Sequence, residues 1–130
     1  MNKTSIVRSF YETDIDNGIK ISSVSDDSRD VEEGALFFAR KGSSSHGVNF
    51  INEAVKNGAA CIISDQPKPS NINIPFIRVK NLEHSLVSFL FKFYDLNPDN
   101  FLFHGVTGTN GKTSTAFMSH QILQKLGKTS

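Results

Sequence analysis

The sequence predicts an α/β fold: a small N-terminal α/β domain with a mixed sheet, followed by the first strand, glycine loop and helix of a second, truncated domain. Three observations carry that prediction. Compact apolar runs (Ala35 to Ala39, Ala60 to Ser64, Phe76 to Val79) alternate with segments whose apolar residues fall at helical spacing. The polar stretch Leu96-Asn97-Pro98-Asp99-Asn100 interrupts this pattern and reads as a linker, giving units 1–96 and 97–130. Beyond it, Phe101 to Thr115 runs from an apolar segment through a glycine loop into Lys-Thr and a helical pattern.

Ser5 to Tyr11 predicts a helical turn with Ile6, Val7 and Phe10 inward, and Asp16-Asn17-Gly18 a turn. Ile19, Ile21 and Val24 alternate as in a strand. After the turn Val31-Glu32-Glu33-Gly34, the run Ala35-Leu36-Phe37-Phe38-Ala39 is a central strand, and Gly42 to Gly47, with three serines, is a loop. Phe50, Ile51, Ala54 and Val55 share one helical face, and Gly58 stands where a helix C-cap belongs. Ala60 to Ser64 is the next strand. Gln66 to Pro75, with three of the four prolines, is a loop that leads to a short strand over Phe76 to Val79. Asn81 is placed to N-cap a helix with Leu82, Leu86, Phe89, Leu90 and Phe93 on its buried stripe.

Downstream of the linker there is one strand, one loop and one helix carrying Phe117, Met118, Ile122, Leu123 and Leu126. A lone strand–loop–helix cannot cover both faces of a sheet. The expectation is therefore an N-terminal piece of a longer protein that stops just inside its second domain; the alternative is a last helix that docks on the first domain.

A chain of 130 residues has room for one domain, or one and part of another. A globule of this size buries roughly two-thirds of its unfolded surface, enough for a real core. Fourteen basic and thirteen acidic residues leave a net charge of +1 with no basic arm, so neither nucleic acid nor membrane is an expected partner. The single cysteine, Cys61, forms no internal disulfide and lies in an apolar run as a small core side chain. Met1 to Asp14 lacks a leader's apolar stretch, and no apolar run is long enough to span a bilayer, so the expected location is the cytoplasm. The four histidines show no pair at metal-ligand spacing, which argues against structural zinc.

The chemistry concentrates in the second unit. Gly108 and Gly111 allow positive φ and let backbone N–H groups approach phosphate oxygens. A helix opening near Thr113 aims its unpaired N–H groups and positive dipole end at the same point. Lys112 adds a full charge for the β- and γ-phosphates, and the Thr113 hydroxyl is placed for Mg²⁺. This is the construction of a P-loop, although its usual first glycine is replaced by Val106. The competing reading is an Asn-Gly turn with an incidentally exposed lysine, but such a hairpin leads into a second strand rather than a helix.

Thr107-Gly108-Thr109-Asn110-Gly111-Lys112-Thr113 resembles the ATP-binding loop of the Mur ligases, which join amino acids to peptidoglycan precursors. Folylpolyglutamate and cyanophycin synthetases have related loops. Upstream, Asp27-Ser28-Arg29, Val31, Gly34, Leu36-Phe37-Phe38-Ala39 and Gly42 resemble the opening of MurE- and MurF-type ligases. Gly47, Phe50-Ile51, Ala54 and Gly58-Ala59 continue the likeness, which covers the chain from about Ser25 onward. The pair Thr109-Asn110 is similar to the MurE branch, where MurF loops more often carry serine first. His46 and Val48 depart from the family, which usually has an acidic residue and often a histidine there; the departure bears on the shape of the Gly42–Gly47 loop.

The resemblance implies an ATP-dependent amide ligase that adds the third stem-peptide amino acid to UDP-MurNAc-L-Ala-D-Glu through an acyl phosphate. Its partners would be small molecules (that substrate, ATP and an amino acid), its cofactors ATP and Mg²⁺, and its state a monomer. Gly108, Thr109, Asn110, Gly111, Lys112, Thr113 and Ser114 would hold ATP, with Lys112 catalytic and Thr113 on Mg²⁺. Asp26, Ser28, Ser43, Ser44 and Ser45 would line the site for the UDP end, unless the serines form only a solvated loop. Arg29 either pairs with phosphate or braces its turn through Asp27 or Asp30. The family's catalytic acids, carbamylated lysine and amine-binding domain would lie beyond Ser130, so these 130 residues alone are expected to be inactive. A MurF-type ligase acting one step later and a non-catalytic UDP-sugar-binding module are the alternatives.

Overall fold

Four short strands, β1 (Ser23–Ser25), β2 (Ala35–Ala39), β3 (Ala59–Ser64) and β4 (Phe76–Arg78), form one sheet in that order. The computed structural model describes residues 3–42, 45–101 and 105–127, and the chain divides into two units, Met1–Asn97 and Pro98–Ser130. The α/β class is as expected, but the sheet is parallel at all three pairings rather than mixed. Parallel neighbours need a connection that returns the chain to the starting end. Between β3 and β4 the expected proline-bearing loop makes that return without a helix; the parallel direction it imposes on β4 is what the sequence pattern did not disclose.

Helices α1 (Thr4–Tyr11), α2 (Ile51–Lys56) and α3 (Leu82–Phe93) complete the first unit. Every residue of β2 is buried, as befits a strand covered on both faces. Its alternation sorts the core into two layers. Leu36 and Phe38 join Cys61, Ile63, Phe89, Phe93 and Val7 on the α1/α3 side. Ala35, Phe37 and Ala39 join Ile51, Ala54 and Ile62 on the α2 side.

Two local expectations give way to competing hydrogen bonds and turns. Ile19 and Ile21 lie outside β1, because this segment bonds to the start of α1 instead. Lys3 N donates to Ile21 O at 2.7 Å, and Ile21 N donates to Thr4 Oγ1 at 3.3 Å. Phe50 ends a 3₁₀ turn (Gly47–Phe50) rather than facing inward from α2, and it stays 42% exposed. The Asn81 cap does form: its Oδ1 accepts from His84 N at 3.1 Å.

Gly58 ends α2 at φ +108°, and a Cβ there would stand 2.7 Å from Glu33 Cα. Its carbonyl also accepts from Gly34 N at 2.9 Å, so the backbone cannot simply move aside. Gly58→Ala is expected to destabilise the chain by about 1–3 kcal/mol through strain at this position. A lower urea midpoint with an unchanged slope is the expected reading, and an unaltered midpoint would refute it.

The second unit contains a 3₁₀ turn, Pro98–Asn100, and α4 (Lys112–Lys125). Of the strand expected over Phe101–Phe103, all but Phe101 lies outside the described residues, as do Ser43 and Ser44. Phe117, Met118, Ile122 and Leu126 are all exposed on or just after α4. No described helix is long and apolar enough to cross a membrane.

Candidate functional site

In the second unit, the glycines expected to shape the phosphate loop have the required backbone. Gly108 has φ +151° and Gly111 has φ +76°, the latter as the residue immediately before α4. A Cβ on Gly111 would meet nothing within 4 Å, so the left-handed backbone, not crowding, is what calls for glycine. α4 opens at Lys112, one residue earlier than the pattern indicated. No side chain caps it, and its first intrahelical bond runs from Thr115 N to Gly111 O at 2.9 Å. The N–H groups of the first turn are therefore left for an external acceptor, in the field of the helix dipole. Lys112 Nζ folds back and donates to Gly108 O at 2.6 Å, which sets the ammonium over the loop rather than away from it. A glycine loop, an uncapped helix start and a cation above them fit a nucleotide's terminal phosphates.

In the first unit, three of the residues expected at the UDP end come together. Asp26, Ser28 and Ser45 line one cleft of about 570 Å³, with Asp27, Arg29 and Glu53 among their neighbours. The cleft lies where β1 and β2 end, the side on which open parallel sheets bind ligands. A larger depression of about 880 Å³ sits at the opposite, amino ends of β2 and β3. Among the described residues, Lys20 and Glu33 are its ionisable lining, beside Ser22 and several glycines and alanines, and none of the residues expected at the UDP end lies there.

Ser28 is 6% exposed; its hydroxyl donates to Glu53 Oε2, and its carbonyl accepts from Asn57 Nδ2 at 2.8 Å. Asp27 caps the 3₁₀ turn Ser28–Asp30 by accepting from Arg29 N at 3.0 Å. It also accepts from Arg29 Nε at 2.9 Å, so of the two readings of Arg29 the structure has the brace. The hydrogen bonds from Arg29 hold the Asp27 carboxyl down at about 2. Asp26 accepts from Arg40 Nε at 2.7 Å, and Arg40 also reaches Glu83 at 3.5 Å.

The serine loop closes on itself, with Gly42 N donating to Ser45 O at 2.8 Å and Lys41 bridged to His46. His46 anchors its far end: Nδ1 accepts from Val48 N at 3.2 Å, which leaves Nε2 to donate to Asp65 at 3.0 Å. The departure at His46 is thus answered locally by Asp65. Burial pushes the Cys61 thiol up to about 12, so it stays a protonated core group.

Glu53, Arg40 and Asp65 escaped the sequence reading. Each is one of many exposed-type residues, and only the fold brings them beside Ser28, Asp26 and His46. Among the described residues, no three or more His, Cys, Asp or Glu side chains converge as a metal site.

The family profile described as "Mur ligase family, catalytic domain" matches residues 20–93, more than half of the chain. A curated relative, the UDP-N-acetylmuramoyl-L-alanyl-D-glutamate--2,6-diaminopimelate ligase of Chlorobium phaeobacteroides, is 39% identical over 111 residues. That match takes in 84% of this chain and 22% of the relative. Among solved structures, MurF from Acinetobacter baumannii is similar at TM-score 0.70 and 25% identity, over 94% of this chain and 27% of that one. MurF from Thermotoga maritima, solved in complex with ADP, is similar at TM-score 0.57 and 29% identity, over 85% of this chain and 25% of that one. The chain thus spans about a fifth to a quarter of the proteins it matches. It belongs to the Mur ligase family.

Proposed function

We propose that this chain is the N-terminal part of a cytoplasmic, ATP-dependent ligase of peptidoglycan precursor synthesis, of MurE type. It would add the third amino acid to UDP-MurNAc-L-Ala-D-Glu. Residues 1–96 hold the UDP end of that substrate, and residues 97–130 open the ATP-binding domain. The observation that carries this reading is the relative named for that reaction, 39% identical over 84% of the chain.

The residues divide the work. Asp26, Ser28 and Ser45 offer polar groups in one cleft for the nucleotide end of the substrate. Gly108 to Ser114 hold the terminal phosphates, with Lys112 screening their charge and the Thr113 hydroxyl available to Mg²⁺. ATP supplies the phosphoryl group that activates the substrate carboxylate for amide formation. This chain's residues bind and position the reactants; the groups that receive the incoming amine are assigned to sequence beyond Ser130.

Calorimetric titration of the chain with UDP-MurNAc-L-Ala-D-Glu is expected to give saturable binding, with no amide formed when ATP and 2,6-diaminopimelate are added. Amide formation by the chain alone would refute its assignment as an incomplete ligase. The similarity to MurF structures supports a second reading, a ligase acting one step later. Tighter binding of the UDP-MurNAc-tripeptide than of the dipeptide form would favour it.

A further inference from the structure

We infer that Glu53, acting through Ser28, sets the cleft at the ends of β1 and β2 to receive the hydroxyl and imide donors of a uridine and to turn its diphosphate away. This rests on the proposed reading of the cleft as the site for the UDP end of the substrate. Ser28 is nearly buried, and its one hydroxyl proton is given to Glu53 Oε2. A serine hydroxyl has one proton and two lone pairs, so what remains for a ligand is an acceptor. Asn57 Nδ2 holds the Ser28 carbonyl at 2.8 Å, which fixes the residue's backbone just past the helix that carries Glu53.

The charges around it point the same way. Asp26 and Asp27 are each paired with an arginine, Arg40 and Arg29, which leaves Glu53 as the carboxylate lining the cleft without an ion pair among the described residues. Phosphate oxygens are anionic and accept hydrogen bonds only, so beside Glu53 they would meet like charge and a lone pair. Ribose hydroxyls and the uracil N3–H are neutral donors and meet complementary groups. Glu53 is thus a positioning residue: it orients the Ser28 proton and supplies the repulsion that keeps the diphosphate outside.

The test is calorimetric titration of the chain and its Glu53→Gln and Glu53→Ala variants with uridine, with UDP and with UDP-MurNAc-L-Ala-D-Glu. Glu53→Gln keeps shape and an acceptor oxygen but removes the charge. It is expected to raise the affinity for UDP relative to uridine by roughly three- to tenfold, the scale of one nearby unit charge, and by less at high salt. Glu53→Ala frees the Ser28 proton to point into the cleft and is expected to weaken uridine binding roughly tenfold. A purely structural role would weaken both ligands in parallel and leave their ratio fixed; that result overturns the inference while the UDP reading stands. Absence of binding of UDP and UDP-MurNAc-L-Ala-D-Glu to the unaltered chain would remove the UDP reading itself, and the inference with it.

Discussion

Replacing Lys112 by Ala in the proposed full-length ligase is expected to lower turnover roughly 10²-fold or more, the scale of losing one preorganised charge donor. The side chain is already where such a role needs it. Its ammonium sits 2.6 Å from the carbonyl of Gly108, against the loop itself. A phosphate oxygen can replace that carbonyl as acceptor without a large movement of the chain, so little reorganisation opposes charge stabilisation. The loop itself does not depend on the lysine, because Gly111 and the first bond of α4, Thr115 N to Gly111 O, set its backbone. Lys112→Ala should therefore leave the thermal midpoint close to that of the unaltered enzyme while turnover collapses. Steady-state phosphate release with saturating substrates measures turnover, and a melting curve measures the midpoint. Near-normal turnover would remove Lys112 from the reaction.

The features legible in the sequence share a property: their physics is local. β2 and β3 were readable because five- and six-residue apolar runs bounded by turn residues have few other uses. The Asn81 cap and the Gly58 helix end were readable because each bond or backbone angle is made within a few residues. The glycine loop and helix start were readable for the same reason, since Gly108, Gly111 and Lys112 are contiguous with α4. The parallel direction of β4 was not, because it depends on where an eleven-residue proline loop (residues 65–75) carries the chain, and the loop has no periodicity to read. The segment 19–21 misled because its apolar alternation is real, yet its hydrogen bonds go to Lys3 and Thr4 across a sequence gap. In the cleft, Asp26, Ser28 and Ser45 were placed by resemblance to a family. Glu53, the partner that decides what Ser28 can offer, lies 25 positions away and carries no signal of its own.

The first unit's stability is expected to hinge on Phe89, and Phe89→Ala should cost about 3–5 kcal/mol. The ring is fully buried, with centroids 5.3 Å from Phe10, 5.2 Å from Tyr11, 5.6 Å from Phe38 and 5.4 Å from Phe93. It therefore joins α1, β2 and α3 at one point, and its loss opens a cavity that none of these elements can close alone. Set against the roughly 5–15 kcal/mol that holds a typical domain together, such a loss removes a large share of the margin. The effect should nonetheless be confined to stability. Phe89 packs on the face of β2 that presents Leu36 and Phe38, whereas α2, which carries Glu53 of the cleft, packs on the face that presents Phe37 and Ala39. Under conditions where the variant remains folded, its affinity for UDP-MurNAc-L-Ala-D-Glu should match that of the unaltered chain within about twofold. Urea unfolding followed by circular dichroism gives the first quantity and calorimetry the second. A loss of stability under about 1 kcal/mol would show that the aromatic cluster can repack around the gap, contrary to the close packing that core truncations ordinarily reveal.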